Sequence, residues 1–255
     1  MILDHEIPFS LMKIRQQIQN LDTNSAIFSE FALKHVSDFL DIMQVYRGAM
    51  QEAGTKLEIL DEEYSMRLSH NPIHHMERRL KSIGSIMEKM ERRGFELTLE
   101  SLKKNVYDIA GIRVVCNYVD DDYAVSKALC DQDDIEVALI KDYIANPKET
   151  GYRSLHVICM VPVYLSSGCV KAPVEVQFRT IAMDYWASLE HKLRYKSILP
   201  TEERTKHSKT LQDCAKTLAK LEDEMQEVQR DLISTQKKLA LGSDSGLNES
   251  RQTNS

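Results

Sequence analysis

The chain has 255 residues, 42% of them hydrophobic, enough for a sizeable core in one large domain or two small ones. A net charge of −6 and a pI near 5.8 exclude a protein that coats nucleic acid by bulk positive charge, though they allow a local basic patch and regulation by RNA. Cys116, Cys130, Cys159, Cys169 and Cys214 are odd in number and lack CxxC spacing, and no run of about 18 apolar residues occurs, so a soluble cytoplasmic chain with reduced thiols is expected, without disulfide frame, zinc site, signal peptide or membrane span.

Residues 1 to about 105 read as helix. From Val36 the positions Phe39, Met43, Tyr46, Met50, Ala53, Leu57, Leu60 and Tyr64 step by threes and fours along one face, weakened by Gly54 and ended by Asn71-Pro72. A second helix is expected to carry Met76, Leu80, Ile83, Met87 and Met90 on one side, with Gly94 at its C-terminal cap. From about 106 to 180 the period changes. "IAGIRVVCNYV", "IEVALIKDYI", "SLHVICMVPVYL" and "APVEVQFRT" predict four strands, with a short helix from Asp120 to Cys130. Together these elements predict an α+β domain with a mixed sheet. From Ile181 the pattern is helical again. Leu211, Cys214, Leu218, Leu221, Met225, Val228, Leu232, Thr235 and Leu239 form a heptad stripe, and the polar "SDSGLNESRQTNS" beyond it is expected to be disordered. The expected organisation is a helical extension over 1–40, a central domain over 41–200, a heptad helix over 201–241 suited to an oligomer contact, and a disordered tail over 242–255.

Four stretches could carry chemistry, and each has a plainer reading. On "VEVQFR", Glu175, Gln177 and Arg179 share one face by the two-residue period. That face is either the wet side of an antiparallel strand or a rigid mount for a carboxylate that holds a metal or takes a proton. In "YDIAGIRVV", Asp108 is either a turn residue or, with Glu175, half of a two-carboxylate magnesium site; Arg113 projects from the strand behind it. On "MERRLKSIGSIMEKMERRG", read as helix, Arg78, Lys81, Ser85, Lys89 and Arg92 make either a solvated basic face or a cradle for a polyphosphate. In "KETGYRSLH", Lys148, Tyr152 and His156 offer a cation, a stacking ring and a further donor, which suits a nucleotide as well as a surface turn. Neither GxxxxGK[ST] nor GxGxxG is present.

In this order and spacing, "DIAGIRVVCNYVDD", "DYIANPKETGYRSLH" and "VEVQFRTIAMDYWASLEHKLRYK" resemble the synthetase domain of the RelA/SpoT family, and in particular its single-domain small alarmone synthetases. The likeness spans roughly residues 41 to 232, and "YRGAMQEAGTKLEIL" and "RRLKSIGSIMEK" look like the family's N-terminal helices. It implies a nucleotidyltransferase-like sheet flanked by helices, and transfer of pyrophosphate from ATP to the ribose 3′ hydroxyl of GTP or GDP, with AMP released. Magnesium and a homo-oligomer, favouring a tetramer, are implied as well. Asp108 and Glu175 match the family's magnesium carboxylates, Glu175 also as base. Arg79 and Arg113 match the adenine sandwich, and Lys81, Ser85 and Lys89 the donor's phosphate contacts. Tyr152 matches the ring on guanine, Lys148 and His156 the acceptor's phosphate contacts, and Gln177 and Glu190 fall in the same cleft. Lys141 stands where some relatives carry arginine, and Asp184 where some carry asparagine, so preference among GTP, GDP and GMP is left open. No His-Asp dipeptide occurs, and no second, hydrolase domain is expected in these residues. Two rivals remain, a silent nucleotide or RNA binder on the same scaffold and a helical scaffold protein. The first would be expected to have lost an acid, and the second does not need polar strand faces.

Overall fold

The computed structural model describes residues 2–5, 36–68, 70–196 and 201–249. The chain divides into two compact units, Met1–Lys148 with Tyr152–Asp184, and Glu149–Gly151 with Tyr185–Ser255. The first unit holds strands β1 (Ile2–His5), β2 (Ile73–Leu80), β3 (Ala110–Cys116), β4 (Glu136–Asp142), β5 (Leu155–Leu165) and β6 (Gly168–Thr180). They form one mixed sheet in the order β1-β2-β3-β6-β5-β4, with β1–β2 and β3–β6 parallel and the other pairs antiparallel. Helices α1 (Val36–Arg67), α2 (Ile83–Arg92), α3 (Leu99–Asn105) and α4 (Val119–Cys130) complete this unit, and α1 and α4 pack on the sheet and on each other. The α+β class and the mixed sheet agree with expectation.

The two-residue period divides the faces of β6. Val174, Val176 and Phe178 are fully buried and join a core that includes Ile112 and Val114 of β3 and Phe39, Ala53 and Leu57 of α1. Burying a phenylalanine of this kind contributes on the order of 1.5–3 kcal/mol. Glu175, Gln177 and Arg179 are left for the opposite face.

Three expectations need correction. Met76 and Leu80 lie on a strand, β2, and the helix begins only at Ile83, where the Ser85 amide donates to the side chain of the N-cap Ser82. Along β2, Met76 and Leu80 are buried, and Arg78 between them pairs with Glu58 of α1 at 2.9 Å. A cation at the middle position hides the two-residue period, and the remaining apolar residues mimic a helical step. The same correction dissolves the single basic face: Arg78 serves the fold, Lys81 and Lys89 meet Asp108, and Arg92 is exposed. At the chain's start, Ile2–His5 is a strand and not helix, in register with Met76 to Arg79. Covering β2 satisfies backbone groups that a bare edge would expose. Residues 6–35, the bulk of the expected helical extension, lie outside the described residues.

The second unit contains most of α5 (Ile181–Lys196) and all of α6 (Thr201–Glu249). The Trp186 indole donates to the Leu211 carbonyl at 2.9 Å, and the Gln212 amide donates to the Glu149 carbonyl at 2.5 Å. Gly151, at φ +91°, lies so close to this helix that a Cβ would sit 2.7 Å from that of Ala215. The third correction is at the C-terminus: α6 runs through Gly242 to Glu249, where disorder was expected. Gly242 and Gly246 each cost a helix only about 1 kcal/mol, and elongation of an existing helix is cooperative. Residues 250–255 lie outside the described residues.

Candidate active site

Strand register aligns the polar face. Glu77 stands opposite Arg113, Arg113 beside Gln177, Gln177 opposite His156, and His156 opposite Lys141, making one row across five strands. In the adjacent row Arg79 is opposite Gly111, and Gly111 is beside Glu175. Gly111 places no side chain between the arginine and the glutamate. The result is a cavity of about 510 Å³ walled by Arg79, Lys81, Asp108, Arg113, Glu175 and Gln177, together with Glu77, Gly111, Ile112 and Arg179.

Asp108 precedes β3 and receives two ammonium groups, Lys81 Nζ on Oδ2 and Lys89 Nζ on Oδ1, each at 2.7 Å. Burial pushes its carboxyl upward, but hydrogen bonds and charge from Lys81 and Lys89 outweigh that and hold it below the usual aspartate range. Glu175 is held differently. His156 Nδ1 lies 3.1 Å from Oε1, and Gln177 Nε2 donates to Oε2 at 2.7 Å. Burial again acts upward, and the bonds from His156 and Gln177 bring the net shift below the ordinary glutamate value, despite repulsion from Asp108. Both carboxylates are therefore ionised at neutral pH.

Beyond Glu175 the network continues. Tyr152 Oη lies 2.8 Å from His156 Nε2 and accepts from Arg179 Nη2 at 2.7 Å, while Lys148 Nζ sits over the Tyr152 and Tyr143 rings at 4.5 and 4.4 Å. Asp184 Oδ1 lies 3.2 Å from both Arg113 Nη1 and Arg179 Nη1, and Arg113 also donates to Glu77 at 3.1 Å. Asp184 thus places its negative charge between two guanidinium groups. Ser85 is engaged with Ser82 in the cap of α2, Lys141 is exposed on the edge strand β4, and Glu190 lies half-buried on α5 of the second unit. Arg179, Glu77 and Tyr143 were not among the expected site residues. For Arg179 the signal was present, since the strand period put it on the face of Glu175.

These residues can hold a polyphosphate between cations and a divalent ion against hard oxygens. Residues 78–199 match a region found in RelA/SpoT proteins. GTP pyrophosphokinase YwaC of Bacillus subtilis is 41% identical over 174 residues, 66% of this chain and 83% of that relative. The chain belongs to the RelA/SpoT family. A second relative, GTP pyrophosphokinase YjbM of Bacillus subtilis, is 36% identical over 75% of this chain and 88% of its own length. Among solved structures, small alarmone synthetase 1 of Bacillus subtilis bound to its product pppGpp superposes with a TM-score of 0.69 at 34% identity, covering 76% of this chain and 97% of that one. The fold is therefore shared with that synthetase over 76% of this chain. Among the described residues no helix is long and apolar enough to cross a membrane.

Proposed function

We propose that this chain is a GTP diphosphokinase of the small alarmone synthetase type, transferring pyrophosphate from ATP to the ribose 3′ hydroxyl of GTP or GDP in the cytoplasm. The observation that carries the reading is the pairing, in one cavity, of two ionised carboxylates with the cations Arg79, Lys81 and Arg113. Similarity to relatives named GTP pyrophosphokinase supports it.

The acceptor's 3′ oxygen attacks the β-phosphorus of ATP. A new P–O bond forms there, the bond from the β-phosphorus to the oxygen bridging to the α-phosphate breaks, and AMP leaves. Such transfers need alignment and charge neutralisation more than covalent help. Glu175 takes the hydroxyl proton, and its depressed pKa keeps it ready for that role at neutral pH. Lys81 and Lys89 neutralise the donor's phosphates, and Arg79 and Arg113 flank the donor's base. Tyr152 stacks on guanine, with Lys148 on the acceptor's phosphates.

Asp108 and Glu175 suit magnesium, which commonly takes one or two carboxylates and completes its shell with phosphates and water. Among the described residues no group of three or more His, Cys, Asp or Glu could hold a metal by itself. A bound magnesium would supply further neutralisation of the donor's phosphates. The test is incubation with ATP, magnesium and each of GTP, GDP and GMP in turn, followed by chromatography. AMP and a 3′-pyrophosphorylated nucleotide in equal amounts support the reading. Nucleotide binding without AMP would return the chain to the class of silent binders.

A further inference from the structure

Arg179 is almost wholly buried, and its guanidinium has a partner on every nitrogen. Nη2 donates to Tyr152 Oη at 2.7 Å and to Gln177 Oε1 at 2.8 Å, Nη1 to Asp184 Oδ1 at 3.2 Å, and Nε to Ser154 Oγ at 3.4 Å. A guanidinium only donates, so each partner must turn an acceptor toward it. That requirement spreads outward along two paths.

On the first path, Tyr152 Oη accepts from Arg179, and its own proton is directed to His156 Nε2, 2.8 Å away. His156 then carries its proton on Nδ1, which lies 3.1 Å from Glu175 Oε1. On the second path, Gln177 turns Oε1 to Arg179, which commits its amide nitrogen to Glu175 Oε2 at 2.7 Å. With the amide reversed, two donors would face each other at one end and two acceptors at the other. Both oxygens of Glu175 thus receive a donor, and the ionised carboxylate, which only accepts, closes at one end the two paths that the arginine, which only donates, opens at the other.

We infer that Arg179 is a positioning residue that holds, from the end opposite Glu175, the polarity of two hydrogen-bond paths converging on that carboxylate, one through Tyr152 and His156 and one through Gln177. It acts from behind those side chains. Its part in turnover rests on the assignment of Glu175 as the base, whereas the polarity itself does not depend on that assignment.

The imidazole tautomer reads the polarity directly. In nitrogen-15 NMR at pH 8, with the His156 signal assigned by its loss in His156→Gln, the wild-type imidazole should be protonated on Nδ1. Protonation on Nε2 would overturn the inference, whether or not the protein turns over nucleotide. In Arg179→Met the Nδ1 preference should weaken and kcat should fall about 10- to 100-fold, as for lost outer-shell partners elsewhere. Arg179→Lys, which keeps one charge and loses the fork, should fall between the two. An unmoved tautomer in Arg179→Met would mean that the arginine only packs. Should that variant fail to fold, Tyr152→Phe keeps the ring and deletes only the first path. It should release the His156 tautomer and lower kcat, with little change in the acceptor's KM; an unchanged tautomer there would also overturn the inference.

Discussion

Glu175 shows how much one carboxylate depends on its surroundings. Replacing it by glutamine preserves shape and removes the charge and the basic oxygen. General-base catalysis typically contributes about 10²–10⁴-fold, so kcat of Glu175→Gln should fall at least 100-fold at saturating magnesium. Relief of repulsion from Asp108 would argue for a more stable variant. However, the donors His156 and Gln177 act on the charge more strongly than Asp108 does, so the fold should lose stability instead. Bonds to a charged group contribute roughly 1.5–3 kcal/mol, and a lower urea midpoint should register part of that. Turnover within threefold of wild type would remove Glu175 from the chemistry. Tyr152 has two parts to separate. Tyr152→Ala loses a stacking face worth about 1–3 kcal/mol, so kcat/KM for the guanine nucleotide should drop at least tenfold, with the KM for ATP little changed. Equal damage to both substrates, with an intact circular dichroism spectrum, would make the ring structural.

At the scale of elements, legibility followed the cleanness of the period. On β6 the alternation of Val174, Val176 and Phe178 with Glu175, Gln177 and Arg179 is unbroken, and both strand and polar face could be read from it. On β2 the buried partner of Met76 and Leu80 is Arg78, and a cation on the core side erases the pattern that names a strand. What joins Arg179 to Tyr152, Gln177 and Asp184 was not legible either, because side-chain bonds between distant segments leave no periodicity. Gly54 records the same buried arginine from the side of α1. A Cβ there would lie 2.3 Å from Arg78 Nε and 2.7 Å from Cζ. Alanine in a helix is favoured over glycine by about 1 kcal/mol, yet Gly54→Ala must displace a guanidinium paired with Glu58, and overpacking typically costs 1–3 kcal/mol. Gly54→Ala should therefore lower the urea midpoint in wild type and raise it in an Arg78→Ala background. The same sign in both backgrounds would mean that the glycine answers to something other than Arg78.

For the whole molecule, the open question is what α6 does with its apolar residues. The heptad stripe is not uniform along the helix. Leu211 and Leu218 are half-buried within the second unit, near the contacts of Trp186 and Gly151. Farther along, Leu221, Met225, Val228 and Leu232 are 53%, 53%, 55% and 60% exposed. Four large apolar side chains at steps of three and four make a continuous strip, and an apolar residue left in water forgoes the roughly 1.5–3 kcal/mol that full burial would contribute. A second copy of the chain offers the same strip, and pairing copies by a two-fold axis would bring like residues together and cover both at once. The expected outcome is that light scattering at micromolar concentration reports an oligomer. Val228→Glu together with Leu232→Glu should shift it to a smaller species, with the helical circular dichroism signal retained. Both positions are more than half exposed, so charges there should disturb little within the second unit and a change in mass would come from the contact between copies. A wild-type monomer, or a double variant of unchanged mass, would show that the strip is not a subunit contact.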